Sequence, residues 1–417
     1  MHFTVVGRTK EDTKKYGKEV SGFIGKHIVG TGEDAHLTTN VYFDFLRPHV
    51  VLCCGKRGTG KSYSAGVILE EFCELEEEYR NKMAFVVIDP VGIYWSIKFP
   101  NEQQEELLKK WGLNHVGYDN VRVIVPEKQA EEYEKAGIPI DEKLSISLKE
   151  FTAEDLIKAL GLKRTEKLAI ALEKNFSKLE ENGGIEDLIG LIKDDMEVDQ
   201  ETKNALSSLL NVLSSWGLIS GKGIGIEKIV RRGMVNVIDV SRMKSSTLRD
   251  LLVSFIAKRI LEERIVSRKE EEKARIEGEK VEVGFPITWL VLEEAHNFVP
   301  SDGKSASTEP LIKLAKEGRE PGIGLLAITQ IPDKIHRDVL SQCDIVISFR
   351  LTNRSDISAL HSIYHTYMPE DVEKYIGRLP RGWVGAAIIF DDTLEKIFTV
   401  QVRPRKSWHA GGTAFVA

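Results

Sequence analysis

No apolar stretch in the sequence approaches the roughly 18 residues that a membrane-spanning helix requires, so a protein integral to a membrane is not expected. The first residues, Met1-His2-Phe3-Thr4-Val5-Val6-Gly7-Arg8, lack the basic start, long apolar run and small-residue cleavage site of a signal peptide, which points to the cytoplasm. Cysteine is scarce. Cys53, Cys54, Cys73 and Cys343 form no CxxC or Cys/His spacing that would hold a metal, and they read as reduced core residues. Basic charge is not in excess either. A net charge of -6 gives no global attraction to nucleic acid, although a channel protein can concentrate basic groups on one inner surface. Composition therefore neither selects nor excludes a DNA partner. Repeats and low-complexity tracts are also absent.

At 417 residues the chain exceeds the size at which one core stops growing, which predicts an enlarged domain or a main domain with a satellite. Eight short apolar runs read as buried strands: Val50 to Cys54, Met83 to Ile88, Val121 to Val125, Val235 to Val240, Ile287 to Leu292, Gly324 to Thr329, Ile345 to Phe349 and Gly385 to Ile389. Near-continuous apolar runs are typical of a parallel sheet covered on both faces. Helical periodicity follows several of them, as in Val67, Ile68, Phe72, Leu75 and Tyr79. The fold class expected is α/β, with a mainly parallel sheet. Helix-like patterns dominate between Val125 and Val235, including Phe151 to Leu160, Lys167 to Leu179 and Thr202 to Trp216, and suggest a helical insertion. The expected division is a short N-terminal segment (1–46), a core (47–126 and 231–400), the insertion (127–230) and a C-terminal tail (401–417). The mixed-charge run Arg264 to Lys280 reads as a solvated helix or loop.

Gly55-Lys56-Arg57-Gly58-Thr59-Gly60-Lys61-Ser62 matches GxxxxGK[ST] at every position, after an apolar strand and before an amphipathic helix. Glycines permit the tight backbone that aims amides at phosphates. Lys61 is placed to neutralise the β- and γ-phosphates of ATP, Ser62 to bind Mg²⁺ through its hydroxyl, and Tyr63 follows in the same nucleotide-binding segment. Hydrolysis also needs acidic partners for the metal and for the attacking water. The strand ending in Leu292-Glu293-Glu294 supplies them, with Glu293 on Mg²⁺ and Glu294 as general base. A later strand ends in Thr329-Gln330; if it lies beside the first, Gln330 can sense the γ-phosphate or the water. Arg319 sits in a helix-to-strand loop from which an Arg can be offered to a neighbouring active site, with Arg350 and Arg354 as second candidates. Two decoys are weaker. Glu294-Ala295-His296 invites comparison with DEAH helicases, but Glu293 replaces the Asp. Asp89-Pro90-Val91-Gly92 with Asn353-Arg354-Ser355-Asp356 mimics a GTPase signature, at a separation too long for a small GTPase core and with an Arg where the signature has Lys.

Taken in order, these parts resemble the HerA/FtsK superfamily of ring-forming DNA-translocating ATPases, and its archaeal HerA-like members in particular. The resemblance is carried by His49-Val50-Val51-Leu52 with the glycine-rich loop, Val87 to Gly92, Val237 to Ser241, Leu292 to Pro300, Ala327 to Gln330, and Val402-Arg403-Pro404-Arg405 with His409-Ala410-Gly411-Gly412. It implies a RecA-like core, a hexameric ring with ATP between subunits, and duplex DNA bound in the pore without sequence preference. It also implies Arg319 as an arginine finger acting in trans and Gln330 as the sensor glutamine. Three departures stand out. Glu293 occupies a position where Asp is usual, and Ile93 one where HerA commonly has Glu. About 45 residues precede the first expected strand, which argues against the full N-terminal barrel and against the NurA-type nuclease partner that the resemblance raises. The competing reading is an ATPase switch or assembly protein that uses the same site with no DNA in its pore.

Overall fold

The computed structural model describes residues 3–215, 217–221, 223–303, 305–364, 372–380 and 382–412. Trp216, expected to close a helix, lies outside them, as do residues 413–417 of the expected tail. The strands are β1 (Phe3–Val6), β2 (Ser21–Val29), β3 (His36–Asp44), β4 (Val50–Cys54), β5 (Met83–Asp89), β6 (Val121–Pro126), β7 (Glu142–Leu144), β8 (Ile146–Ser147), β9 (Ile219–Ser220), β10 (Val235–Asp239), β11 (Ile287–Leu292), β12 (Ile323–Thr329), β13 (Ile345–Ser348), β14 (Ala386–Asp391) and β15 (Lys396–Val402). Thirteen of them form one sheet in the order β1-β3-β2-β15-β14-β13-β4-β12-β11-β5-β10-β6-β7, and β8 and β9 pair separately. From β13 to β7 every neighbouring pair is parallel. The eight apolar runs are all strands of this sheet, because a strand covered on both faces must be apolar on both.

Strand β14 departs from the parallel set, running antiparallel to β13. Beyond it, β15, β2 and β3 continue antiparallel. The expected N-terminal segment is therefore not a separate piece: its three strands extend the sheet edge. Two buried contacts fasten it there: the Gly7 amide donates to Asp391 at 2.7 Å, and His49 Nε2 lies 3.4 Å from Asp44 Oδ2, while within the segment Arg8 donates to Asp44 at 2.8 Å through Nε and, beyond it, His49 Nδ1 bonds Asp344 Oδ2 at 2.7 Å.

The chain between β6 and β10 supplies helices Lys167–Phe176, Ile185–Asp194 and Gln200–Ser215. They bury Leu172, Leu188, Ile192, Leu206 and Leu210 in one cluster that continues to the sheet through Ile124 and Ile238. The charge run Arg264 to Lys280 is helical up to Glu277, as part of the 32-residue helix Ser246–Glu277, and largely solvated as expected, except that Arg264, Ser267 and Glu271, spaced on one face, are buried. Arg264 Nη1 meets Glu271 Oε1 at 3.0 Å, and Arg264 Nε donates to the carbonyl of Pro321 at 2.7 Å. A paired charge with its hydrogen bonds filled tolerates burial that a lone one does not. The four cysteines are free and buried, as expected. No helix among the described residues is long and apolar enough to cross a membrane.

Candidate nucleotide-binding site

In a parallel sheet, ligands bind beyond the carboxyl ends of the strands. Those ends line up here. Register pairs Thr329 of β12 with Cys54 of β4, and Ala327 of β12 with Leu292 of β11, so the glycine-rich loop, Glu293-Glu294 and Gln330 emerge side by side. The loop needs its glycines. Gly60 has φ 109°, and a Cβ on Gly55, at φ 155°, would lie 2.6 Å from Phe349 Cβ. Helix Lys61–Cys73 starts directly after Gly60, presenting its N-terminal amides to the same space.

A cleft of about 660 Å³ opens at this edge, lined by Arg57, Gly58, Gly60, Lys61, Ser62, Tyr63, Glu293, Glu294 and Gln330. Lys61 Nζ donates to the carbonyl of Lys56 at 3.1 Å, which folds the ammonium over the loop, and burial lowers its pKa. The Ser62 hydroxyl donates to Glu293 Oε1 at 2.8 Å. Glu293 is 2% exposed, and burial pushes its carboxyl up to about 7 against the hydrogen bonds from Tyr94 and Ser62. Glu294 sits at φ 52°, a left-handed backbone that turns its side chain out of line with β11. Gln330 Nε2 donates to Glu294 Oε1, and His296 Nδ1 lies 3.5 Å from Glu294 Oε2.

The oxygen pair of Ser62 and Glu293 suits a hard cation such as Mg²⁺. Among the described residues no cluster of three or more His, Cys, Asp or Glu side chains could hold a metal ion alone. A magnesium ion fits this donor set when phosphate oxygens and water complete its shell.

Thr59 and Lys56 have local roles. Thr59 Oγ1 donates to the Lys56 carbonyl at 2.7 Å, and the Lys56 amide donates to the Arg350 carbonyl at 3.1 Å. Arg350 thus lies beside the glycine-rich loop, with Gly58 and Thr59 on the wall of a neighbouring depression. Arg354 is exposed at the start of helix Arg354–Tyr364. Arg319 is exposed and does not line the cleft. It precedes β12, at the opposite end of that strand from Gln330; seven residues at about 3.3 Å each separate the two ends by roughly 20 Å. The GTPase decoy dissolves: both oxygens of Asp89 accept backbone amides, from Val91, Gly92, Ile93 and Tyr94, and point into the fold.

Two features of the cleft escape the sequence reading. The first is Tyr94, whose hydroxyl donates to Glu293 Oε2 at 2.5 Å. The second is the wall made by residues 403–412, expected to be a tail. Arg403 pairs with Glu70 at 2.7 Å and Glu71 at 2.6 Å, and the Ser407 hydroxyl donates to Glu70 at 2.6 Å, all buried against helix Lys61–Cys73. The clasp brings His409 edge-on to Tyr63, with ring centroids 5.3 Å apart, and the Arg405 amide donates to the Tyr63 hydroxyl at 2.6 Å. The sequence holds Glu70 and Glu71 on that helix, Glu74 at its C-cap, and Arg403, Arg405 and Lys406 near the C-terminus, but nothing in it pairs the two groups.

A sequence profile for the helicase HerA central domain matches residues 23–260, more than half of the chain. The chain is 26% identical over 357 residues to the probable DNA double-strand break repair helicase HerA of Methanocaldococcus jannaschii, covering 79% of this chain and 68% of that one. Against the DNA double-strand break repair helicase HerA of Pyrococcus furiosus it is 28% identical over 163 residues, 35% of this chain and 28% of that protein. The match thus spans only part of the length of these relatives. Among solved structures, VirB4 of Thermoanaerobacter pseudethanolicus superposes with a TM-score of 0.56 at 14% identity, covering 91% of this chain and 97% of that one. The bacterial conjugative coupling protein TrwBdeltaN70 gives 0.52 at 14% identity, covering 94% of each. At such identity these two likenesses speak to the fold alone.

Proposed function

The chain belongs to the family of the helicase HerA central domain, and from that premise we propose that it is an ATP-driven DNA motor, a translocase or helicase working as a hexameric ring on duplex DNA. One observation carries the chemistry: Ser62-Glu293 and Gln330-Glu294 form two hydrogen-bonded pairs on the wall of one cleft with Lys61. The first pair holds magnesium and the second handles water. Lys61 swings from the Lys56 carbonyl to the β- and γ-phosphates. The magnesium ion, when bound, offsets charge on the phosphate oxygens. Glu294 takes the proton of the attacking water, while Gln330 orients the carboxylate and the water together. Arg319, far from its own cleft, reaches the γ-phosphoryl group of a neighbouring subunit. The DNA part of the proposal rests on the names of the relatives, repair helicases.

The chemical half is tested by nucleotide binding and turnover in Lys61→Ala. Loss of a charge-assisted contact of about 1.5–3 kcal/mol lowers nucleotide affinity by roughly 10- to 100-fold, and turnover falls with it. A folded Lys61→Ala protein that binds and hydrolyses ATP at the normal rate removes the assignment.

A further inference from the structure

Tyr94 belongs to no motif, yet from behind the cleft wall its hydroxyl reaches Glu293, which lines the cleft. It opens the short 3-10 turn Tyr94–Lys98 after β5, and its side chain is fully buried. The turn is fixed from behind, because Asp89 Oδ2 accepts the amides of Ile93 at 2.7 Å and Tyr94 at 2.9 Å. From this anchored position the phenol donates to Glu293 Oε2 at 2.5 Å, while Ser62 holds Oε1 at 2.8 Å. Both oxygens of Glu293 are thereby assigned. A glutamate has one more side-chain torsion to fix than an aspartate, and an unfixed carboxylate in a metal site gives poor geometry; outer partners of metal ligands are worth about 10- to 100-fold in metal affinity.

We infer that Tyr94 is a positioning residue for the magnesium site, holding the long Glu293 side chain so that Oε1 faces Ser62. This rests on the reading of Ser62 and Glu293 as the metal-holding pair and adds to it the residue that sets the carboxylate's orientation. It makes the buried tyrosine the counterpart of the extra methylene: a shorter carboxylate at position 293 would neither reach the phenol nor need it. The phenol does not touch the nucleotide in this role, so nucleotide binding without metal does not depend on it.

The test is binding of a fluorescent ATP analogue to the full chain, titrated with magnesium and, separately, in excess chelator. Tyr94→Phe keeps the ring and removes the hydroxyl. The expected result is an unchanged affinity in chelator and a roughly tenfold rise in the magnesium concentration needed for half-maximal tight binding. In a Glu293→Asp background the same Tyr94→Phe change is expected to shift the magnesium requirement less than about twofold, a non-additive cycle of the kind that contacting residues show. Unchanged magnesium dependence in Tyr94→Phe, or effects that simply add, overturns the inference. Glu293→Gln separates the two layers: if it leaves magnesium dependence intact, the metal-holding pair itself is wrong, whereas a large effect of Glu293→Gln with none of Tyr94→Phe removes only the role of Tyr94.

Discussion

Gln330 Nε2, at the end of β12, donates a hydrogen bond to Glu294 Oε1, just past the end of β11. The two strands are direct neighbours, so a shift of one against the other moves the amide and the carboxylate relative to each other. A general base works only when its oxygen is aimed at the proton it removes.

Glu294→Gln keeps shape and removes the base, so ATP binding is expected to persist while turnover falls by about 10² or more. Gln330→Ala is expected to lower turnover with little change in nucleotide affinity, because the carboxylate remains but loses its aim. Single-turnover hydrolysis beside equilibrium binding checks both. Should Glu294→Gln stay active while Glu293→Gln is dead with normal metal dependence, the roles of the two carboxylates are reversed.

Arg319 stands on a loop tied down by Arg264, which donates to the Pro321 carbonyl two residues further on. With roughly 20 Å of β12 between it and Gln330, the arginine-finger role proposed for it requires a neighbouring subunit. Arg319→Ala is expected to reduce turnover by roughly 10³, the lower range for an arginine finger. Mixing Arg319→Ala with Glu294→Gln protein, each inactive alone, is expected to regain activity at interfaces that pair an intact Arg319 with an intact Glu294. Full activity of Arg319→Ala, or mixed rings that form and stay inactive, shifts the role to Arg350 or Arg354.

His49 sets a pH limit on the attachment of the N-terminal strands. Burial alone would lower its pKa, but hydrogen bonds to Asp344 and Asp44 outweigh this and raise it to about 9. A raised histidine contributes stability that is full below its unfolded value of about 6.5 and is lost as pH rises through about 9. The difference corresponds to on the order of 3 kcal/mol. Urea unfolding followed between pH 6 and 10 is expected to show the midpoint falling across that window, with a flatter profile in His49→Gln. Equal pH profiles in the two proteins exclude His49 as the group responsible.

The central strands and the phosphate loop were legible in the sequence because their signals are local. An apolar run such as Met83 to Ile88 is uniform because both its faces are covered, and Gly55 to Ser62 carries its whole function in eight adjacent residues. β3 was not legible: its first residues, His36 to Asn40, are largely exposed, polar and irregular. The Tyr94–Glu293 bond spans 199 residues and the Arg403–Glu70 pair 333, separations at which a single sequence carries no pairing signal. Arg264 misled in a different way, since a charge run looks solvated until the partner that satisfies one of its members is placed beside it.

The central claim is that this cleft drives movement on DNA, and the most direct measurement is the rate of ATP hydrolysis with and without long duplex DNA, taken with the mass of the assembled particle. The account predicts a six-subunit ring whose turnover rises with duplex DNA of unrelated sequences, with a stimulation that weakens steeply as salt releases the phosphate contacts. A ring whose hydrolysis is indifferent to DNA at every salt concentration would contradict it and point instead to an ATPase switch.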